Sequence, residues 1–256
     1  MFFVLKMLIG MLVGTLVGLT GLGGGVLLLP ILIFGLGVSP IVAVGSDAAF
    51  NAVTKIGAGY LHWKLRSLDW RLVAGLSLGS IPGALGGVLL IRYLRTAYGN
   101  EFDGILRAFI GALLVFIPLL LLLQKSPQQS AALPGQSGKG FWPRVAAIGL
   151  VSGFLVGMSS VGSGTVVMLL LALFVRSAAA KLVGTDIVHA VILTGFTSIF
   201  YLRLGAVDFT LLLPLLIGSV PGALLGVRLA NLIPSQWLRR VLCLTLIAAG
   251  ARMLWI

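Results

Sequence analysis

Cysteine and acidic residues are scarce in this chain. Cys243 is the one cysteine among 256 residues, which excludes an intrachain disulfide and a metal cluster built from several cysteines. Asp and Glu together number 6 against 18 Lys and Arg, and charged residues make up only 9% of the chain. Apolar residues make up 59%, and the mean hydropathy is +1.15. This composition predicts an integral membrane protein without a sizeable soluble domain.

The net charge of +12 has a simple explanation in such a chain. In a soluble protein it would suggest nucleic acid as a partner, but membrane proteins concentrate Lys and Arg in their cytoplasmic loops. We therefore predict the lipid bilayer of the cell membrane as the partner and no nucleic acid. Residues 1–20 hold one lysine and no small-residue cleavage site, so we interpret them as a first membrane segment rather than a signal peptide.

A glycine-rich stretch occurs twice, with the two copies 139 positions apart. Residues 18–25 read GLTGLGGG, and residues 157–164 read GMSSVGSG. The same offset relates further pairs along the chain without insertion or deletion. These pairs are Gly10 and Gly149, Gly14 and Gly153, GSD at 45–47 and GTD at 184–186, Asp69 and Asp208, and GSIPGA at 79–84 and GSVPGA at 218–223. One constant offset over so many positions indicates an internal duplication.

The duplication predicts an all-α polytopic membrane protein with two pseudo-symmetric repeats. Residues 1–124 form the first repeat, 125–142 a flexible extramembrane linker rich in Gln, Ser, Pro and Gly, and 143–256 the second repeat. Within each repeat a short apolar segment follows the glycines. The first of these, residues 25–36, is too short to cross a hydrocarbon layer of about 30 Å. We therefore predict a glycine-rich helical hairpin plus three spanning helices in each repeat.

The orientation of the repeats depends on this hairpin. A hairpin leaves each half with an odd number of crossings, so the halves are inverted, whereas a single broken span would make them parallel. The inverted arrangement divides 17 basic residues eleven to six between the two sides, and the parallel one divides them nine to eight. We favour inverted repeats with both termini outside, because Lys and Arg accumulate in the cytoplasm. The eleven residues are Lys64, Arg66, Arg71, Lys125, Lys139, Arg144, Arg176, Lys181, Arg228, Arg239 and Arg240.

The glycine-rich turns are the first candidate for a binding site. A helix that begins at such a turn presents free N–H groups and a positive dipole end to an anion, and transporter repeats use this arrangement near the bilayer midplane. Alternatively, the glycines only pack two short helices together, but two copies with neighbouring hydroxyl groups favour a site. The predicted substrate-binding residues here are Thr20, Gly21, Gly23, Gly24, Gly25, Ser159, Ser160, Gly162, Ser163, Gly164 and Thr165.

Charged residues inside predicted membrane segments are the second candidate, because a charge there is costly. Asp47, Asn51 and Lys55 are spaced to share one helix face, and Asp186 with His189 lies at the matching place in the second half. We predict that Lys55 supplies the positive charge for an anion and that Asn51 adjoins it. Either the two aspartates serve only as structural partners, or Asp47, Asp186 and His189 couple transport to protons.

Asp69 and Asp208 have a simpler interpretation. Each begins a predicted helix, where a carboxylate accepts hydrogen bonds from otherwise unpaired backbone N–H groups. We predict that both cap helices and that neither has a functional part.

With these motifs in order, the chain resembles the sulfite exporter TauE/SafE family of anion permeases. The resemblance covers nearly the whole chain. It implies a secondary carrier of sulfite, sulfonates or related small organic anions. Leu169 stands where the second repeat would match Pro30. The residues that carry the resemblance are GLGGGVLLLP at 21–30, SP at 39–40, GSD at 45–47, GTD at 184–186, GAVD at 205–208 and GSVPG at 218–222.

Two other function classes stay open at this point. An intramembrane hydrolase could use Ser163 with His189, or Asp47 with Asp186, but Gly24 stands opposite Ser163 in the repeat and neither aspartate lies in a Gly-x-Gly-Asp motif. The other class is a passive anion channel. We expect a transporter rather than an enzyme, without a cofactor or a metal ion.

Overall fold

The computed structural model describes residues 2–20, 25–66, 68–123, 140–174, 179–229 and 235–255. Helices account for the regular structure of these residues, and no strand occurs among them. In chain order the α-helices are α1 (Phe2–Thr20), α2 (Gly25–Pro30), α3 (Pro40–Lys64), α4 (Trp70–Tyr98), α5 (Phe102–Leu123), α6 (Phe141–Ser159), α7 (Thr165–Phe174), α8 (Ala179–Arg203), α9 (Phe209–Leu229) and α10 (Ser235–Trp255). The all-helical fold is as predicted from the sequence.

Several of these helices are suited to a bilayer. By length and composition, four helical stretches could cross a membrane: Trp70–Leu123, Phe141–Ser159, Lys181–Arg203 and Phe209–Gly226. The first of these contains both α4 and α5, joined by a short 3₁₀ turn at Gly99–Glu101. Many of their large apolar side chains are exposed, which suits contact with lipid tails.

Two short helices, α2 and α7, follow the glycine-rich stretches, and they contain six and ten residues. At 1.5 Å per residue, neither reaches across about 30 Å of hydrocarbon. They differ at Pro30, which lacks an N–H group and stands where α2 passes into a π-helical turn at Ile31–Gly35. Leu169 occupies the matching place in α7, which continues as a regular α-helix to Phe174.

Helix contacts made through glycine hold the fold together. α4 packs against α6, α1 against α9, α3 against α8, and α5 against α10. A Cβ atom placed on Gly79 of α4 would overlap the carbonyl oxygen of Ala146 in α6, and one on Gly218 of α9 would overlap that of Met7 in α1. The backbones of these pairs therefore approach too closely for any side chain, as expected for small residues at membrane helix interfaces.

The capping prediction is confirmed for both aspartates. Asp69 accepts hydrogen bonds from the backbone N–H of Arg71 (3.0 Å) and of Leu72 (3.3 Å) at the start of α4. Asp208 accepts hydrogen bonds from the N–H and the hydroxyl of Thr210, both at 2.7 Å, at the start of α9. Partial burial raises the pKa of Asp208, but these bonds and the charge of Lys6 outweigh it, so its net pKa lies below the ordinary value.

Each capping aspartate also contacts the opposite half of the chain. The backbone N–H of Asp69 donates to the hydroxyl of Thr185 (3.0 Å), and that of Asp208 donates to the hydroxyl of Ser46 (3.1 Å). Ser46 and Thr185 directly precede Asp47 and Asp186 in sequence. The start of α4 is therefore bonded next to Asp186 of α8, and the start of α9 is bonded next to Asp47 of α3.

Candidate functional site

The centre of the protein holds a group of polar side chains on the two packed helices α3 and α8. Asp47, Asn51 and His189 are 0% exposed, Lys55 is 5% exposed and Asp186 is 6% exposed. Burying charged groups this deeply costs several kcal/mol per ion unless partners compensate. The partners of these side chains therefore decide what the group can do.

The second glycine-rich turn, residues 160–164, lies between α6 and α7 and contacts this group. Ser160 caps the C-terminal end of α6 with a left-handed backbone (φ 57°), and its N–H donates to the carbonyl of Val156 at 2.7 Å. Gly162 has φ +96°, which L side chains rarely adopt, so glycine is required there. Gly164 is followed directly by α7, which begins at the buried Thr165.

Lys55 reaches this turn from the middle of α3. Its Nζ donates to the carbonyl oxygen of Ser163 at 3.2 Å and lies 3.1 Å from the Ser163 hydroxyl oxygen. An ammonium group has three N–H donors, so these contacts leave one donor without a partner in the described part of the chain. Lys55 therefore lies beside the second glycine-rich turn.

Asp47 contacts the same turn at Ser160, three residues before Ser163. Its Oδ2 accepts a hydrogen bond from the Ser160 hydroxyl at 2.7 Å and another from Nδ2 of Asn51 at 3.0 Å. Nδ2 of Asn51 also donates to the backbone carbonyl of Asp47 at 3.0 Å. Asp47 and Asn51 thus form one hydrogen-bonded unit with the end of α6.

The charges of this group act on one another without a direct ion pair. Asp47 and Asp186 are both near enough for their charges to act on the Lys55 ammonium. Among the residues that the structure describes, the only carboxylate–amine contact within 4 Å joins Lys181 and Asp69. Lys55 therefore balances two carboxylates from a distance while its hydrogen bonds go to Ser163.

His189 has a partner that the sequence did not suggest. Its Nε2 lies 2.8 Å from the hydroxyl oxygen of Ser80 in α4. Ser163, which the hydrolase hypothesis pairs with His189, contacts Lys55 instead. Ser80 falls within the repeated GSIPGA stretch, and its match Ser219 is also buried, so the repeat was a signal that could have singled it out.

Tyr201 is a second residue that sequence reasoning missed. It is fully buried in α8, and its hydroxyl donates to the backbone carbonyl of Gly157 at 2.9 Å. A carbonyl in the last turn of a helix lacks an intrahelical partner, so Tyr201 satisfies one near the end of α6. Because the glycine-rich turn follows directly, this bond helps to position the turn.

The remaining predicted residues are less closely tied to this group. Ser159 donates to the carbonyl of Leu155 (2.8 Å). Gly25 begins α2. The side chain of Thr20 and the whole of Gly21, Gly23 and Gly24 lie outside the described residues, so the first glycine-rich turn stays a prediction.

Comparison with known proteins identifies relatives over nearly the whole chain. A family model described as Sulfite exporter TauE/SafE matches residues 6–253. The chain is 32% identical to "Probable membrane transporter protein YjnA" of Bacillus subtilis, covering 96% of this chain and 98% of that protein. It is 29% identical to "Probable sulfite/organosulfonate exporter TauE" of Cupriavidus necator over 56% of this chain and 50% of that protein. No solved structure matches the chain.

Proposed function

The chain belongs to the sulfite exporter TauE/SafE family of membrane transporters, and on that basis we propose that it is a secondary transporter of a small anion. The anion is sulfite, a sulfonate or a related organosulfur anion, in keeping with the name of the relative from Cupriavidus necator. The protein is a multi-pass membrane protein, and we place it in the cell membrane. The observation that carries the proposal is the buried Lys55 bonded to the second glycine-rich turn.

Unpartnered donors in the interior support an anion site. Lys55 has one N–H left after its contacts with Ser163, and the Thr165 hydroxyl and Nδ1 of His189 are buried without a hydrogen-bond partner among the described residues. All three can donate to an oxyanion, and a hydroxyl or imidazole left without a partner in the interior is costly. We propose that the anion binds to these groups between the second turn and the matching first turn, residues 18–25.

Coupling is proposed for the buried titratable groups Asp47, Asp186 and His189. Each lies within electrostatic range of Lys55, so adding a proton to one of them changes how strongly the site attracts an anion. Such a group can bind or release a proton when the anion binds, which is the basis of coupled transport.

Catalysis is less well supported than transport. Ser163 and His189 have different partners, and no hydrogen bond joins Asp47 to Asp186 among the described residues. A hydrolase would need its nucleophile and base within hydrogen-bond reach of each other. Accumulation of the anion against its gradient distinguishes a transporter from a passive channel.

Proteoliposomes that contain the purified protein should take up sulfite or a short sulfonate. When an ion gradient is imposed, the anion should accumulate inside against its own concentration gradient. Binding of sulfite, thiosulfate, sulfonates and short carboxylates to the protein in detergent identifies the preferred anion. Flux that never exceeds equilibration would identify a channel. Absence of binding and flux for all these anions would overturn the proposed function.

We further propose that the two halves form inverted repeats joined by the linker 125–142, with 1–124 and 143–256 as the repeats. Matched contacts support a two-fold relation of the halves, and the uneven distribution of Lys and Arg supports their inversion. Gly10 and Gly14 of α1 approach the backbones of Leu215 and Ser219 in α9. At the constant offset of 139, Gly149 and Gly153 of α6 approach Leu76 and Ser80 in α4 in the same way. The same interface thus occurs twice with the halves exchanged.

The inverted arrangement predicts opposite locations for the linker and the C-terminus. In a Cys243→Ala background, a cysteine at Ser130 should react with a membrane-impermeant maleimide only from the cytoplasmic side. A cysteine added after Ile256 should react only from outside. The basis is the excess of Lys and Arg on the linker side. Labelling of both cysteines from one side would refute the inverted arrangement, and labelling after detergent lysis serves as the control for reactivity.

A further inference from the structure

The unpartnered polar atoms of the interior fall into two chemical kinds. Six buried side-chain atoms of the described residues have no hydrogen-bond partner. Ser77 Oγ, Thr165 Oγ1 and His189 Nδ1 can act as donors, which suits an anion. The other three atoms are oxygens: one of an amide, Asn51 Oδ1, and two of carboxylates, Asp47 Oδ1 and Asp186 Oδ1. As long as the carboxylates are ionised, these oxygens accept hydrogen bonds but cannot donate them. The interior therefore offers oxygen ligands as well as donors.

The orientation of the Asn51 amide follows from its neighbours. Its nitrogen donates to the backbone carbonyl and to Oδ2 of Asp47, each at 3.0 Å. Exchanging the amide nitrogen and oxygen would direct an acceptor at two acceptors, so the assignment is determined by chemistry. The oxygen of Asn51 is consequently the atom left without a partner, next to a carboxylate whose Oδ1 also lacks one. Both side chains are 0% exposed.

The end of α6 adds a second reason to expect a cation here. α6 ends at Ser159, and the adjoining Ser160 hydroxyl lies 2.7 Å from Asp47 Oδ2. The C-terminal end of a helix carries partial negative charge, so an ionised carboxylate beside it is destabilised unless positive charge lies between them. Lys55 acts on Asp47 only from a distance, because its hydrogen bonds go to Ser163.

Charge balance points to a single positive charge. With all three groups ionised, Asp47 and Asp186 contribute two negative charges and Lys55 contributes one positive charge. A buried group with a net charge of −1 is costly, and either one monovalent cation at Asp47 or one proton on Asp186 neutralises it. The available ligands are oxygens, which suit a hard cation, and no group of three or more His, Cys, Asp or Glu occurs among the described residues to hold a transition metal.

We infer that Asp47, Asn51 and the end of α6 at Ser160 form a binding site for one sodium ion. Carboxylates and the C-terminal ends of interrupted helices are suitable ligands for Na⁺ at the centre of a transporter. The role of this ion in coupling depends on the proposed function, whereas its binding does not. In this arrangement Asp47 binds the metal cation, and Asp186 and His189 are left as the candidates for proton coupling.

Sodium binding is tested first on the complete protein in detergent without any sulfur anion. Thermal unfolding is followed while NaCl replaces choline chloride at constant chloride and ionic strength. The melting temperature should rise in a saturable manner, and equilibrium binding of radioactive ²²Na⁺ should give one ion per chain. Absence of a Na⁺-specific rise together with absence of ²²Na⁺ binding in the wild-type protein would overturn the inference.

Variants then locate the ion. Asn51→Leu removes the amide oxygen at similar size, and Asp47→Asn removes the negative charge, so each should weaken ²²Na⁺ binding at least tenfold. Ser152→Ala is the matched control, because it removes a fully buried hydroxyl that already donates to the carbonyls of Ile148 and Gly149. It should bind Na⁺ as the wild type does. Wild-type Na⁺ affinity in both Asn51→Leu and Asp47→Asn would refute this location, even if either variant is less stable.

Flux measurements separate the inference from the proposed function. In proteoliposomes at equal pH on both sides, an inward Na⁺ gradient should drive accumulation of sulfite in the wild type. Uptake that follows only a proton gradient, with no sodium binding, would overturn the sodium site and leave the transporter proposal intact. Sodium binding without flux of any tested anion would support the site and overturn the proposed transport function.

Discussion

Replacing Lys55 with methionine should weaken anion binding about 10- to 150-fold. The residue supplies the buried positive charge nearest the second glycine-rich turn, and its Nζ contacts Ser163 at 3.1–3.2 Å. A hydrogen bond to a charged group contributes roughly 1.5–3 kcal/mol, which corresponds to this range in affinity. Methionine keeps a similar length and flexibility, so the change chiefly removes the charge and the donors. Titration of sulfite into purified protein measures the effect.

Two further variants separate the local charge from general effects. Lys55→Arg should retain part of the affinity, since the positive charge remains but the guanidinium is planar and larger. Lys64→Met is the matched control, because Lys64 lies on the same helix but is exposed at its end, and it should bind sulfite as the wild type does. Unchanged binding by a folded Lys55→Met protein would show that the anion site lies elsewhere. Size-exclusion chromatography of each variant verifies that it is folded.

Replacing Gly79 with alanine should destabilise the protein by more than about 3 kcal/mol and prevent most of it from folding. The added Cβ would overlap the carbonyl oxygen of Ala146, and it also lies 2.8 Å from the backbone nitrogen of Leu150. Because both contacts are with backbone, no flexible side chain can move aside, and α4 must separate from α6. Forcing atoms into a packed interface commonly costs 1–3 kcal/mol, and a backbone clash exceeds that range.

The same substitution at Gly195 is the matched control. Gly195 lies within α8, and a Cβ atom there would meet nothing within 4 Å. Gly195→Ala should therefore leave stability unchanged or raise it by roughly 0.5–1 kcal/mol, because alanine is the better helix former. Thermal unfolding and the yield of monodisperse protein measure both variants. Equal stability of Gly79→Ala and Gly195→Ala would contradict the close approach of α4 and α6.

Local features of this protein could be predicted from its sequence because they depend on neighbouring residues. Apolar composition determines the membrane class, and helix positions follow from long apolar runs bounded by Pro40, Asp69 and Asp208. The capping role of the two aspartates needs only a carboxylate at the start of a helix. The constant offset between the halves is likewise a property of the sequence alone. Even the shared face of Asp47, Asn51 and Lys55 follows from helical spacing.

The partners across helices were decided only by the tertiary structure. Lys55 and Ser163 are 108 positions apart, and His189 and Ser80 are 109 apart, so no local spacing relates them. Periodicity indicates which residues share a helix face, but it does not indicate which face of another helix lies opposite. That choice depends on the close approach of backbones at glycines such as Gly79, and on which buried polar groups satisfy one another. The unpartnered oxygens of Asp47 and Asn51 could be found only once those pairings were known, since an atom lacks a partner only relative to its surroundings.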